Sequence, residues 1–332
     1  MTARSGEGSC YAVVGPSAGG DNDRISFFTR KGEARFTVSA CTDIGGRPYQ
    51  EDRLLAYPSC TFAAKTHAFF AVIDGHGGDA CAEFIRSRLF TLVAENFIND
   101  DCEGALAGAL RDVEAMWMRT VTTGTERCRG WSSGSCVLAA VLSPGGVCHV
   151  SWVGDCRMAA WSHEEGCVAV SSDHKPDRAS ELARIEQCGG EVRRIYAPGG
   201  RCVPCCGSIG AGPPRVYPGG LAVARSIGTI KCKRSEYGAV PGCVISVPEY
   251  VAYYPSKNIR YLIMASDGLW DYFPKTKGLD KVIAAFEKSG GEDDGEKGES
   301  LAKYILKAIR RRNLGRPPDN ATILVVAFVE ER

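Results

Sequence analysis

Ala71-Val72-Ile73-Asp74-Gly75-His76-Gly77-Gly78 runs a short apolar segment out into an aspartate, a histidine and three glycines. The apolar residues suit a buried strand, and the glycines let backbone carbonyls turn back toward the aspartate. The same form recurs at Leu262-Ile263-Met264-Ala265-Ser266-Asp267-Gly268. A third aspartate stands in Pro317-Pro318-Asp319-Asn320, just before an apolar run, and a fourth closes Ser151-Trp152-Val153-Gly154-Asp155. The acidic pair Glu51-Asp52 follows Gly45-Gly46-Arg47. One Asp-Gly is ordinarily a turn. Four aspartates placed at the ends of apolar strands ask for more, because a turn needs no carboxylate at the mouth of a core strand. Hard divalent cations take carboxylate and carbonyl oxygens, and converging strand ends would supply them.

Further short apolar or β-branched runs lie at 36–40, 68–73, 136–142, 147–153, 158–161, 168–171, 261–265 and 322–329. Their length and turn-rich flanks predict strands. Helical spacing appears in Phe84, Ile85, Leu89, Leu92, Val93 and Phe97, and again in Leu106, Leu110, Val113 and Trp117. A third helix is predicted over 179–188, stopped by Gly189-Gly190. A fourth, over 299–313, turns Leu301, Tyr304, Ile305 and Ile309 inward and ends on Arg310-Arg311-Arg312. Strands come in runs and helices in pairs, which favours an α+β fold over strict βαβ alternation. Two packed antiparallel β-sheets flanked by pairs of α-helices, a four-layer αββα sandwich, are expected. The stretches 196–218 and 289–300 read as surface loops. Residues 1–35 read as a loose N-terminal extension and 36–332 as one domain.

The chain has 332 residues, 44% of them apolar, so a sizeable core can form. Forty basic residues against 39 acidic ones leave a formal charge of +1. That balance gives no reason to expect nucleic acid or membrane as partner. No apolar run nears the roughly 18 residues of a membrane-spanning helix. The first 20 residues lack an apolar signal core, Thr2 excludes myristoylation, and Glu-Glu-Arg at the end offers no prenylation site. The 16 cysteines are scattered, many inside apolar runs, and read as reduced thiols of a cytoplasmic or nuclear protein. Cys202, Cys205 and Cys206 cluster but lack a fourth zinc ligand at regular spacing. A monomer is expected.

The chain resembles the metal-dependent serine/threonine protein phosphatases of type 2C. The resemblance rests on Gly46-Arg47-Pro48-Tyr49-Gln50-Glu51-Asp52-Arg53; Asp74-Gly75-His76-Gly77-Gly78; Gly134-Ser135; Val153-Gly154-Asp155-Cys156-Arg157; Asp173-His174-Lys175-Pro176; Arg184-Ile185-Glu186 with Gly189-Gly190; Leu221-Ala222-Val223-Ala224-Arg225 with Gly228; Ala265-Ser266-Asp267-Gly268-Leu269-Trp270-Asp271; and Asp319-Asn320. It spans nearly the whole chain, and the number and order of these segments carry it. It implies hydrolysis of phosphoserine and phosphothreonine in proteins by a water activated at a pair of Mg²⁺ or Mn²⁺ ions. Asp74 would bridge the two ions, the Gly75 carbonyl would join it, and Asp267 and Asp319 would complete one shell. Glu51 and Asp52 would bind or orient metal waters, and Asp155 would hold a weaker third ion. Arg47 would hold the substrate phosphate and His76 would act as general acid.

The chain departs from the family pattern at Thr229, where an aspartate is usual, and at Ala224 and Cys156, where serines are usual. Thr229 is expected to alter metal affinity or flap anchoring. A rival reading takes Cys41-Thr42-Asp43-Ile44-Gly45-Gly46-Arg47 as the C-x₅-R loop of a cysteine phosphatase, against which Asp43 would repel phosphate. A non-catalytic phosphoprotein binder would lack metal aspartates, and all the matching ones are present.

Overall fold

The computed structural model describes residues 24–25, 36–123, 130–196, 211–256, 258–290, 300–312 and 319–329. Two antiparallel sheets face each other. The first contains β1 (Arg24–Ile25), β2 (Phe36–Asp43), β7 (Arg157–Ser162), β8 (Gly166–Ala169), β13 (Ile259–Ala265) and β14 (Ala321–Phe328), in the order β1-β2-β14-β13-β7-β8. The second contains β3 (Arg53–Phe62), β4 (Lys65–His76), β5 (Gly134–Leu142), β6 (Cys148–Val153) and β12 (Glu249–Tyr253), in the order β12-β6-β5-β4-β3. The short β11 (Ile227–Gly228) pairs with the start of β5. Helices α1 (Ala80–Asn96) and α2 (Cys102–Thr123) cover the second sheet. Helices α5 (Lys277–Lys288) and α6 (Leu301–Arg312) cover the first. The architecture is α+β in four layers.

Strand alternation fills three cores at once. On β4, Phe70 and Val72 enter the core between the sheets, while Phe69, Ala71 and Ile73 pack under α1 and α2. On β13, Leu262 and Met264 face the other sheet, and Tyr261 and Ile263 face α5 and α6. Central strands are therefore apolar on both faces. Each large aliphatic side chain so buried contributes about 1.5–3 kcal/mol. A smaller cluster of Ile185, Val216, Ala224, Cys232 and Val244 anchors α3 (Ala179–Gln187) and the ribbon of β9 (Glu191–Tyr196) with β10 (Ala211–Tyr217).

Several expectations change. The N-terminal stretch adds β1 to the edge of the first sheet. The supposed 196–218 loop contains β10, paired with β9; its residues 197–210, with Cys202, Cys205 and Cys206, lie outside the described ones, as do 291–299. Strands β3 and β12 and helix α5 appear where no element was expected. Among the described residues, no helix is long and apolar enough to cross a membrane.

Register brings the strand ends together. Asp74 pairs with Cys136 and His76 with Gly134 across β4–β5. Ala265 lies opposite Ile323 on β14 and Arg157 on β7. The exits of β4 and β13, the entry to β14 and the β6–β7 turn thus share one edge of the sandwich.

Candidate metal centre

That edge opens into a cleft of about 500 Å³. Arg47, Glu51, Asp74, Gly75, His76, Asp155, Asp267 and Asp319 all line it, and Asp52 does not. Carboxylate oxygens of Asp74, Asp155 and Asp267 lie within 4.8 Å of one another. Asp267 starts the short helix α4 (Asp267–Trp270), and its backbone N–H reaches Asp74 Oδ2 at 3.4 Å. Burial, then the charge of Asp267, drives the Asp74 carboxyl well above its usual value. Burial and Asp155 do the same to Asp267. Three carboxylates this close repel unless a cation stands among them. Their donors are all hard oxygens, so the set fits Mg²⁺ or Mn²⁺.

One local cation tempers the group. Lys175 Nζ lies 2.5 Å from Asp155 Oδ2. Burial would raise the Asp155 carboxyl, but Lys175 outweighs it and holds it below its ordinary value. The Asp155 turn is braced by His174, whose Nδ1 accepts the Gly154 N–H at 2.9 Å and whose backbone N–H donates to the Gly154 carbonyl at 3.0 Å. Lys175 and Asp271 both line the cleft; they stand in segments that carry the resemblance, which assigned neither of them a chemical role. Lys175 stands twenty residues from Asp155, and no local pattern signals that pairing.

The remaining acids divide. Glu51 Oε1 accepts the Gly78 N–H at 2.5 Å, and the Glu51 N–H donates to Asn320 Oδ1 at 2.8 Å. Asn320 also donates to the Ile44 and Tyr49 carbonyls, so it staples the 44–51 turn to the start of β14. Asp52 is buried below the cleft, where Ser266 Oγ donates to its Oδ2 at 2.8 Å. Burial pushes its carboxyl up to about 7. Asp319 lies outside the three-carboxylate group and forms an ion pair with Arg47 at the rim. The structure thus groups Asp155, read as the ligand of a third ion, with Asp74 and Asp267.

His76 is half-buried beside Asp74, and Thr229 Oγ1 lies 2.9 Å from its Nε2. Burial lowers the imidazole to about 4. Thr229 therefore meets the histidine, not the carboxylate group. Cys41 is buried among residues of the core under α5 and α6, and burial pushes its thiol up to about 12. A thiol so placed is no phosphate nucleophile, and the C-x₅-R reading is set aside.

Comparison with known proteins agrees with this geometry. The family model described as Protein phosphatase 2C matches residues 37–313. The chain belongs to the protein phosphatase 2C family. Probable protein phosphatase 2C 59 of Oryza sativa subsp. japonica is 31% identical over 268 residues, covering 80% of this chain and 68% of the relative. Probable protein phosphatase 2C 71 of Arabidopsis thaliana is 32% identical over 264 residues, covering 79% and 49%. Protein phosphatase 1F of Homo sapiens is 27% identical over 315 residues, covering 93% and 61%. The chain thus spans about half to two thirds of the length of these protein phosphatase 2C relatives. In fold it is similar to a serine-threonine phosphatase 2C from Toxoplasma gondii, with a TM-score of 0.66 at 23% identity, over 92% of this chain and 99% of that one.

Proposed function

We propose that this protein phosphatase 2C domain hydrolyses phosphoserine and phosphothreonine in proteins, acting as a monomer at a centre of two Mg²⁺ or Mn²⁺ ions. The observation that carries the reading is the Asp74, Asp155 and Asp267 group, whose oxygens crowd within 4.8 Å. Asp74, the Gly75 carbonyl, Glu51, Asp267 and Asp319 would hold the pair of ions, and Asp155 a weaker third. Bound there, such ions supply positive charge against the phosphoryl oxygens and lower the pKa of the attacking water.

The chain's own groups do the rest. Arg47 is half exposed at the rim, where it forms an ion pair with Asp319, and its guanidinium can fork two phosphoryl oxygens. Lys175 keeps Asp155 ionised. His76 gives a proton to the serine oxygen as the bond to phosphorus breaks and the electron pair stays on that oxygen. A phosphate in the cleft adds negative charge beside the ring and offsets the effect of burial on it. The balanced net charge of +1 supports a role without nucleic acid or membrane.

The test is hydrolysis of a phosphoserine peptide with and without chelator. Activity is expected to fall at least about a hundredfold in chelator and to return with Mn²⁺. Cys41→Ser should keep activity within about twofold, since a buried thiol takes no part. Full activity in chelator, or its complete loss in a folded Cys41→Ser protein, would refute the proposal.

A further inference from the structure

Building on the reading of His76 as proton donor, we propose that Thr229 and Ser226 form a hydroxyl relay that fixes the imidazole, keeping Nε2 as an N–H donor and presenting Nδ1 to the substrate. Counting protons gives the direction of the relay. Ser226 Oγ has four polar neighbours: the Ile227 carbonyl at 2.9 Å, Thr229 Oγ1 at 3.0 Å, His76 Nε2 at 3.3 Å and the Ser135 carbonyl at 3.4 Å. Carbonyls have no proton to give, so the single Ser226 proton goes to the nearer one, Ile227. The Ser226 oxygen is then free to accept from Thr229. Thr229 Oγ1 in turn accepts from Nε2, 2.9 Å away. Each short contact then carries one proton, from Nε2–H through Thr229 and Ser226 to the Ile227 carbonyl. The opposite order, with Ser226 donating to Thr229 and Thr229 to Nε2, leaves the Ser226 oxygen and the Ile227 carbonyl oxygen 2.9 Å apart with no proton between them. Buried hydroxyls do not settle that way.

The backbone is shaped for this contact. Thr229 is fully buried at φ 51°, in the left-handed region, and its N–H donates to the Ser133 carbonyl at 3.0 Å. Among the described residues, the other non-glycine positions with positive φ are all exposed. A β-branched residue held there stores strain, as functional positions often do. Gly134 leaves the necessary space, since a Cβ there would overlap Thr229 Oγ1 and come within 2.7 Å of Nε2.

The arrangement fits the proton balance of the step. As the bond from serine oxygen to phosphorus breaks, its electron pair stays on the oxygen, which takes the Nδ1 proton. The ring is left neutral with its proton on Nε2, the tautomer that the relay favours. Thr229 and Ser226 are thus positioning residues, serving as the third member of a triad serves its histidine.

The test uses the Mg²⁺-loaded full chain with ¹⁵N-labelled histidine, comparing wild type, Thr229→Val, which removes the hydroxyl at nearly constant shape, and Thr229→Ser, which restores it. His76→Ala identifies the ring signals. The expected neutral ring carries its proton on Nε2 in wild type and Thr229→Ser, and is mixed in Thr229→Val. On a phosphoserine peptide, Thr229→Val should lower kcat about tenfold with KM little changed, and on p-nitrophenyl phosphate, whose phenolate leaves unaided, by less than about twofold. Should Thr229→Val fail to fold, Ser226→Ala cuts the relay one link further on and is read the same way. A proton on Nδ1 in the neutral wild-type ring overturns the relay. So does a His76→Ala loss specific to the peptide with none in Thr229→Val. Equal losses on both substrates in His76→Ala remove the donor role instead.

Discussion

Asp267 shows what a charge costs at the exit of a core strand. In the fold its carboxyl titrates well above 3.8, first because it is buried and then because Asp155 is beside it. A carboxyl whose folded value is raised contributes its full stability below the unfolded value and loses it as pH climbs through the folded one. Asparagine at 267 does not ionise and escapes that loss. With chelator present, Asp267→Asn is expected to melt with wild type near pH 4 and above it at pH 7.5. With millimolar Mg²⁺ the order should reverse, because wild type alone gains the binding energy of the ions. Activity of Asp267→Asn should fall at least about a hundredfold in step with metal binding. A chelated variant that melts below wild type at pH 7.5 would contradict the electrostatic reading. At this scale the sequence was informative about donors and silent about their partners. Asp74, Asp155 and Asp267 each announce themselves by standing after an apolar run. Lys175 and the Thr229–His76 contact depend on chain crossings that no local spacing encodes.

Among the elements, the corner from β13 into α4 places Asp267 and is built on a close approach. A Cβ on Gly268 would collide with the Asn320 carbonyl and the Ala321 backbone at the start of β14. Gly268→Ala must push that corner away from the start of β14 and from Asn320 just before it, which is stapled to Glu51. It is expected to lower stability by about 1–3 kcal/mol and to weaken Mg²⁺ binding with it. Calorimetric titration beside a melting curve reads both, and unchanged metal affinity would show that the corner does not set the ligand. Strands β4, β5, β13 and β14 were legible because burial on both faces makes them unbroken apolar runs. Strand β3 was not: it is an edge strand, which tolerates Pro58 and the exposed Ser59 and Thr61. Helix α5 carries Leu279, Ile283 and Phe286 at spacings of four and three, a stripe of only three buried residues. The β9–β10 ribbon lies in a Gly- and Pro-rich stretch, where turn composition masks the pairing.

For the whole molecule, the two sheets work as a frame that ends four chain segments at one edge. Neither sheet alone could do this. Asp74 and Asp155 come from the second sheet's side, and Asp267 from the first. The core between the sheets fixes how far apart the two sides stand, so packing sets ligand distance. The sequence signalled the layers through their periodicity, but not which carboxylates would stand closest, since that depends on the facing of the sheets. Asp319 lines the same cleft and pairs with Arg47, while Asp155 stands closest to Asp74 and Asp267. The central claim, that this edge holds a pair of divalent ions through Asp74, is tested most directly by anomalous diffraction at the manganese edge from crystals grown with Mn²⁺. Two peaks are expected in the cleft, both in contact with the Asp74 carboxylate, one of them also near Asp267. Crystals of active protein with no peak against Asp74 would contradict it.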